Sequence, residues 1–568
     1  MNYSDRFWKK NWDAGMEDFA PEEYETTFVD MVKNSLKDFP DKVAFIYLGV
    51  SITFGELDRY ANQFAHMLIE NGFKKGDVVG INLPNTPQYV ISLIGALRAG
   101  CIISGVSPLL SAEQIKYQLN DLSSTGKKVA LVTLDAVFAA HIVGISPDIP
   151  LLKLIVTTSV ASFLPKLKQI LGKLLKKIPT GKVTPLPGIT VIDFFKDILN
   201  KQSDSPVDVE ITPDDLGWIQ YTGGTTGPPK GAMLNHRNAS HNIMSISRWV
   251  GWEKGNGTML SGFPMFHIAG LTVTECAVFL GWTQILIPNP RDTDSICEQL
   301  DKFKPTSLVN VPSLYQMLMA NPRFKQLDHS NIEVCVCAAS PFPKESQIEF
   351  ESIIGKGKLL EAYGMTETSP ISLMNPAKGE KKLGTVGMPF MNVDLKLLNT
   401  DTGDEAPIGE PGEICLKGPL VMQGYFNKPD ATKSTVDADG YMHTGDVGIM
   451  DEDGYIKIVD RTKDMIIVGG FKVFSSKVED TLSRHPAIEV LALVGVENPK
   501  RPGSEFVKAF IQVDPNYKYD GDKNALGENI IAFAKEHCSP YEVPKFVEIV
   551  DEIPMTAVGK VDKKVLRI

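Results

Sequence analysis

From residue 51 to 110, and again from 258 to 364, short apolar runs alternate with stretches whose apolar residues recur at helical spacing. Phe54, Leu57, Tyr60, Phe64 and Leu68 mark a helix, residues 77–84 a strand, residues 89–99 a helix closed by Gly100, and residues 102–108 the next strand. The second block repeats the pattern. Strands are predicted at 259–265, 283–288, 308–312, 333–338 and 359–364, with a helix after Pro312 carrying Leu314, Tyr315, Leu318 and Met319. Such alternation argues for an α/β fold of largely parallel sheets covered by helices. A single core stops growing beyond ~250–300 residues, so a chain of 568 residues should hold more than one domain. After about residue 380 the pattern changes to short strands at 393–398, 413–416 and 455–459, separated by Gly, Asp and Asn turns. That predicts a smaller β-rich subdomain. A last unit has helices at 478–482 and 530–536 and strands at 490–496 and 506–513.

Between the two blocks lies Tyr221-Thr222-Gly223-Gly224-Thr225-Thr226-Gly227-Pro228-Pro229-Lys230-Gly231, after the strand-like run Leu216-Gly217-Trp218-Ile219. Glycines allow sharp bending and close approach to a ligand. Successive N–H groups then form a concave anion nest. Threonine hydroxyls add donors and Lys230 a mobile positive charge, the chemistry of a polyphosphate cradle. It is not the P-loop, which ends in Gly-Lys-Ser/Thr; here Pro229 precedes Lys230 and Gly231 follows it. The competing reading is a flexible Gly/Thr surface loop.

Charge and cysteine usage exclude several classes. A net charge of −11 repels nucleic acid and anionic lipid unless a local basic patch intervenes. The seven cysteines are scattered and form no Cys-x-x-Cys or Cys/His ligand set, so neither structural zinc nor a disulfide framework is expected. Cys335 and Cys337 lie two apart in a predicted strand, on one face. Free thiols fit a reducing compartment. The polar, aromatic N-terminus lacks a signal-peptide h-region. No apolar run reaches the ~20 residues of a spanning helix. The expected location is the cytoplasm, with membrane contact at most peripheral.

One stretch bears on that contact. Leu164, Leu167, Leu171, Leu174, Leu175 and Ile178 recur at helical spacing, flanked by Lys166, Lys168, Lys173, Lys176 and Lys177. Basic amphipathic stretches of this kind lie on membrane surfaces. The competing reading is a helix packed on its own core with solvated lysines, and Pro165 and Gly172 weaken a helix here.

Other short motifs could carry chemistry. In Tyr363-Gly364-Met365-Thr366-Glu367-Thr368, glycine beside a tyrosine ring lets a flat base approach the backbone, and Glu367 supplies the oxygen ligand that Mg²⁺ prefers. Asp446, in Tyr441-Met442-His443-Thr444-Gly445-Asp446, suits two ribose hydroxyls.

Together these stretches resemble the AMP-forming acyl-CoA synthetases of the adenylating superfamily, which includes firefly luciferase and peptide-synthetase adenylation domains. The resemblance covers about residue 50 to 568, with the motifs in the family's order. It begins in the stretch from Arg98-Ala99-Gly100 to Pro108. It continues through the Thr/Gly loop with Gly231-Ala232-Met233-Leu234-Asn235-His236-Arg237-Asn238 and through both motifs above. It ends at Val468-Gly469-Gly470-Phe471-Lys472-Val473 and Pro554-Met555-Thr556-Ala557-Val558-Gly559-Lys560-Val561.

The resemblance implies a large N-terminal domain of helix-covered mixed sheets plus a β-rich subdomain (1–460), a hinge at 461–464 with Lys463 as pivot, and a small mobile α+β lid (465–568). It implies ATP, Mg²⁺ and coenzyme A as the reagents. Thr222, Gly223, Gly224, Thr225, Thr226, Gly227, Ser340, Tyr363, Gly364, Thr366, Asp446 and Arg461 would bind the nucleotide, and Glu367 the Mg²⁺. Lys230, Glu367 and Lys560 would serve catalysis, with Lys560 bridging the substrate carboxylate and the α-phosphate. His267, Asn310, Ala338, Ala339 and Met365 would line the acyl pocket. Gly469, Gly470 and Lys472 would meet coenzyme A. The family usually has Pro and Glu where this chain has Ser475 and Lys477; serine there is a good helix N-cap.

The implied reaction has two steps, acyl-AMP formation with pyrophosphate release and then thioester formation. Gly223, Met233 and Met365 are most like the medium- and long-chain fatty acyl enzymes. An aryl or alicyclic carboxylate ligase is the rival within the class. A non-catalytic adenylate or lipid binder and a luciferase-like monooxygenase are rivals outside it.

Overall fold

The computed structural model describes residues 2–124, 126–175, 178–222, 228–555 and 561–567. The expectations placed on Gly223, Gly224, Thr225, Thr226, Gly227, Lys560, Lys176 and Lys177 therefore lie outside the described residues.

Two large sheets form the N-terminal part. The first has nine strands. Its centre is parallel, with Val43–Tyr47, Thr283–Leu286, Thr258–Ser261, Ser307–Asn310, Val334–Cys337 and Leu359–Gly364 side by side. The second has eight strands. In it Ile102–Gly105, Val78–Asn82, Val129–Leu134, Leu152–Thr158 and Thr190–Asp193 run parallel. Antiparallel strands close several of the edges, so both sheets are mixed, as expected. Cys335 and Cys337 are both buried in the same cluster under the first sheet.

Helices fill the space beside and between the sheets, and their ends follow from local chemistry. Phe54–Glu70 starts at Thr53, whose hydroxyl accepts from the Glu56 N–H while Glu56 returns a carboxylate to the Thr53 N–H. His236–Val250 is capped by Asn235 and ends at Gly251, whose φ of +76° needs no Cβ. Ile268–Leu280 is buried almost all round. A helix apolar on every face belongs between two layers rather than at a surface.

Beyond residue 390 the strands Asp394–Leu398, Pro411–Lys417, Met442–Met450 and Ile456–Arg461 form the expected β-rich subdomain as an antiparallel sheet. The C-terminal part is separate: a three-stranded sheet of Ile488–Glu497, Glu505–Val513 and Phe546–Val550, covered by Ser475–Leu482 and Lys523–His537 around its own core. One local expectation is corrected. Ser475 is not an N-cap but the first residue of its helix. Its N–H and hydroxyl both donate to the Asp460 carboxylate, which caps the helix from the neighbouring strand. Lys477 pairs with Glu542 at 2.9 Å.

The basic stretch forms the helix Lys166–Leu174, with none of its residues buried. Gly172 has a reason to be there: Ile178 folds back over it, and a Cβ would meet the Ile178 side chain at 2.3 Å.

Within Ile268–Leu280, Glu275 is buried, and burial pushes its carboxyl from an ordinary 4.5 up to about 8. It is thus protonated at neutral pH. Because the folded value lies above the unfolded one, its contribution to stability is complete below about 4.5 and is lost as pH rises through about 8. Relative to Glu275→Gln, the wild-type protein should lose stability across that window, by at most ~1.4 kcal/mol per pH unit. Denaturation midpoints of the two proteins at several pH values check this; a constant difference would show Glu275 to be solvated.

Candidate active site

The Thr/Gly loop joins two antiparallel strands. Thr222 ends Leu216–Thr222 and pairs with Lys230, which opens Lys230–Asn235. Leu216–Thr222 and Lys230–Asn235 are therefore the two arms of one hairpin. Tyr221 fixes one side of the loop's base by donating to Asp121 at 2.7 Å, and Tyr117 donates to the Pro229 carbonyl at 3.1 Å.

Lys230 lies with its ammonium 4.6 Å from the centre of the Tyr425 ring, a cation–π contact. Tyr425 sits in the short strand Gly424–Tyr425, paired with Ala232 of the same hairpin. Its hydroxyl donates to Glu367 Oε1 at 2.6 Å. Burial, with the Glu367 charge adding to it, holds the phenol well above its ordinary value, so it stays a donor. Glu367 is buried in the turn Thr366–Thr368, and its carbonyl accepts from the Met422 N–H at 2.9 Å.

The turn is clamped from behind by Asn242, whose amide donates to the Ile371 carbonyl at 2.6 Å and accepts from the Ile371 N–H at 3.3 Å. Gly364 is where the strand meets this turn. A Cβ there would fall 1.9 Å from the Pro370 carbonyl oxygen, so only glycine fits.

Four residues before Glu367, Tyr363 donates to Asp446 Oδ2 at 2.6 Å, and Arg461 Nε meets Asp446 Oδ1 at 2.9 Å. Asp446 is buried, and both its oxygens are engaged by residues the sequence had singled out. Asp446 and Arg461 face each other across adjacent strands. Burial and the Asp446 charge push the Tyr363 phenol up, so it too remains a donor.

One chain of contacts thus runs Lys230, Tyr425, Glu367, along the turn to Tyr363, then Asp446 and Arg461. It joins residues 231 positions apart. Anion donors stand at one end, a carboxylate for a cation in the middle, and an acid–arginine pair suited to a sugar at the other. Such a row matches the parts of a nucleoside polyphosphate in order.

The residues expected at the acyl pocket lie at the ends of the parallel strands. Asn310 ends Ser307–Asn310 and accepts from the Gly262 N–H at 2.7 Å. Ala338 and Ala339 follow Val334–Cys337, and Ala339 holds a φ of +77°, the left-handed region that non-glycine residues rarely enter. Ser340 is the next residue, and Met365 precedes the Glu367 turn. His267 is the N-cap of Ile268–Leu280, its Nδ1 accepting from the Ala269 N–H at 3.3 Å. The loop before it is pressed against Gly105, where a Cβ would meet the Phe266 carbonyl oxygen at 2.3 Å.

Gly469 and Gly470 turn a two-stranded hairpin with φ of +62° and +94°. Lys472 on that hairpin is engaged by Asp401 at 2.6 Å and Thr400 at 2.7 Å, not by the row above. Lys463 is exposed, while its neighbour Asp464 is buried and paired with Arg567 at 2.7 Å. Tyr425, Asn242 and Asp121 were missed from sequence. A lone Tyr after Gly, an Asn inside a helix and an Asp in a polar helix carry no local signal; only the fold gives them partners.

Comparison with known proteins follows the same lines. The AMP-binding enzyme family matches residues 32–426, and the AMP-binding enzyme C-terminal domain matches residues 477–560. A long-chain-fatty-acid–CoA ligase of Escherichia coli O6:H1 is 35% identical over 552 residues, covering 96% of this chain and 95% of that protein. A long-chain-fatty-acid–CoA ligase of Bacillus subtilis is 36% identical over 541 residues, covering 94% and 93%. Among solved structures, the anthranilate CoA ligase AuaEII in complex with anthranoyl-AMP superposes with a TM-score of 0.82 at 25% identity, over 100% of this chain and 98% of that one.

Gly364→Ala should displace the end of its strand and with it the Tyr363 hydroxyl. A loss of ~1–3 kcal/mol in stability is expected from the overpacking, together with weakened ATP binding. Thermal melts and calorimetric titration with ATP check this. Unchanged values in both would show that the strand end tolerates a side chain and does not position Tyr363.

Proposed function

The chain belongs to the AMP-binding enzyme family, and on that footing we propose that it is an AMP-forming acid–thiol ligase acting on long-chain fatty acids. The observation that carries the reading is the continuous row from Lys230 to Arg461, because it supplies each kind of contact that an adenylate needs. The relatives named above supply the substrate class.

In the first step a carboxylate oxygen attacks the α-phosphorus of ATP, and the bond to the β-phosphate oxygen breaks, releasing pyrophosphate. In the second the coenzyme A sulfur attacks the acyl carbon, AMP leaves, and the thiol proton passes to solvent. No protein nucleophile is required. The residues position the reactants and neutralise charge at phosphorus. Thr222 and the loop 223–227 would hold the phosphates, with Lys230 beside them. Glu367 is the carboxylate to meet the magnesium that accompanies ATP; its oxygen chemistry and its place beside the phosphate loop fit that ion. Tyr363 and Gly364 would lie against the adenine, with Ser340 and Thr366 nearby. Asp446 and Arg461 would take the ribose.

His267, Asn310, Ala338, Ala339 and Met365 would line the acyl site. We place the large domain at 1–460, the hinge at 461–464 around Lys463, and the lid at 465–568. The lid would bring Lys560 to the α-phosphate for the first step, and Gly469, Gly470 and Lys472 to coenzyme A for the second.

An acid-dependent pyrophosphate-release assay across short-, medium- and long-chain fatty acids and benzoate tests this reading, with the highest kcat/KM expected on long chains. Preference for benzoate would favour an aryl ligase, and no release at all would remove the ligase reading. In the same assay Lys560→Ala should lower adenylate formation ~10²–10³-fold while sparing thioester formation from supplied acyl-AMP. Equal loss in both steps would remove the two-orientation lid.

Among the described residues no helix is long and apolar enough to cross a membrane. We place the enzyme in the cytoplasm with a peripheral contact at Lys166–Leu174. That helix exposes Leu167 at 69%, Leu174 at 73%, and also Ile170 and Leu171, with Leu175 exposed just past its end. Leu164 precedes it, so Ile170 takes its place in the apolar face. Lys166, Lys168 and Lys173 are exposed beside these residues and would attract anionic headgroups by ~1 kcal/mol each. Changing those three lysines to glutamate should abolish sedimentation with anionic liposomes at low salt and leave activity on a soluble short-chain acid intact. Wild-type protein that stays in the supernatant would show the helix face to serve another purpose.

A further inference from the structure

The β-rich subdomain holds a cluster that the adenylation chemistry does not use. Strands Pro411–Lys417 and Met442–Met450 pair so that Cys415 lies opposite His443. Between Glu413 and Cys415 the register slips, because Thr444, Gly445 and Asp446 bulge out of the ladder. Glu413 follows the bulge, accepting from the Gly445 N–H through Oε1 at 2.9 Å. Its other oxygen, Oε2, lies 3.0 Å from His443 Nδ1, and Cys415 Sγ lies 3.5 Å from the same nitrogen. A thiol, an imidazole nitrogen and a carboxylate oxygen thus stand within 4.8 Å of one another.

We propose that Glu413, Cys415 and His443 form a binding site for a thiophilic divalent cation, with Zn²⁺ the ion its ligand chemistry fits.

Three observations support it. Tetrahedral zinc with sulfur at ~2.3 Å and nitrogen and oxygen at ~2.0–2.2 Å has ligand–ligand edges of roughly 3.3–3.6 Å. The spacings of 3.0 and 3.5 Å around His443 Nδ1 are close to those edges. The second concerns the far side of the imidazole. His443 Nε2 faces Asp437 Oδ2 at 3.7 Å, longer than a hydrogen bond, so a small turn of the ring would bring that carboxylate to the position that orients metal-bound imidazoles. Asp437 is itself fixed by the N–H groups of Asp439 and Tyr441, at 3.0 and 2.8 Å. The third is access. Cys415 is buried, but the His443 and Glu413 side chains are 30% and 20% exposed, leaving a solvent side for entry and for a water as fourth ligand.

Binding is balanced without redox change. The Cys415 thiol gives its proton to solvent, a sulfur–metal bond forms, and water leaves the hydrated ion. Sulfur and imidazole select against Mg²⁺, so the site is distinct in chemistry from the carboxylate Glu367. It lies on the bulge that also carries Asp446.

The test uses full-length protein freed of metal by chelator, with Co²⁺ as the spectroscopic probe. One equivalent should give a near-ultraviolet thiolate-to-cobalt band, and Zn²⁺ should displace it. Cys415→Ser should remove the band, and a thermal melt shows whether that variant is folded. His443→Asn and Asp437→Asn keep the thiol and should weaken binding by about 10–100-fold. Absence of the band in wild-type protein, its survival in Cys415→Ser, or unchanged affinity in both other variants would overturn the proposal.

Discussion

The Asp446 carboxylate is the point on which the arrangement turns. A buried carboxylate is costly unless hydrogen-bonded and paired, and Asp446 is buried. The Tyr363 hydroxyl satisfies one oxygen from the end of the nine-stranded sheet, and Arg461 satisfies the other from the adjacent strand of the small β-sheet. Two sheets far apart in sequence are thereby tied through one side chain. The tie fixes the strand Leu359–Gly364 against the strand that leads into residues 461–464. The row toward Lys230 follows from that alignment, because the strand carrying Tyr363 leads directly into the turn carrying Glu367, held by Asn242 and by the close approach of Pro370 to Gly364.

The two large sheets are held to each other by the buried helix Ile268–Leu280 and the loop that feeds it. Asn85 donates to the Phe263 carbonyl at 2.9 Å and accepts from the Met265 N–H at 2.8 Å, so the end of one sheet grips the loop leaving the other. Gly105 then allows the Phe266 backbone to lie directly on its strand. His267 is consequently held at a helix start with its main chain fixed on both sides. A residue held in this way can line an acyl site without being mobile.

The C-terminal part is joined by polar contacts instead. Asp460 receives Ser475, Asp464 receives Arg567, Arg484 meets Glu345 at 3.7 Å, and Lys472 reaches Asp401. Ion pairs with exposed partners are worth only ~0–1 kcal/mol each. The exposed links, Lys472 to Asp401 and Arg484 to Glu345, can be exchanged for water at little cost, which suits a domain proposed to turn between two steps, whereas the Ser475–Asp460 contact is buried and costs more to break. A large apolar interface would oppose that motion.

The parallel cores, the small β-sheet and the separate C-terminal unit were legible because hydrophobic period and turn residues act locally. The elements at Phe54–Glu70, Pro87–Arg98 and Ser307–Asn310 fall where Phe54 and Leu57, Gly100, and Leu308 and Val309 place them. The motif residues Lys230, Tyr363, Glu367 and Asp446 could be named from sequence alone, since short strings of glycine, hydroxyl and acid carry their own chemistry, and Arg461 through the family resemblance. Their partners could not. Tyr425 reads as one more core aromatic until a short edge strand sets it between Lys230 and Glu367. Ser475 has the composition of a helix cap, yet Asp460 from another strand performs that role. Glu413, Cys415 and His443 become a cluster only through a strand register and a bulge. Sequence determined the local elements and the kinds of group available. Tertiary structure decided which groups meet, because a hydrogen bond or coordination contact acts over about 3 Å between residues tens or hundreds of positions apart, and no local pattern encodes that distance.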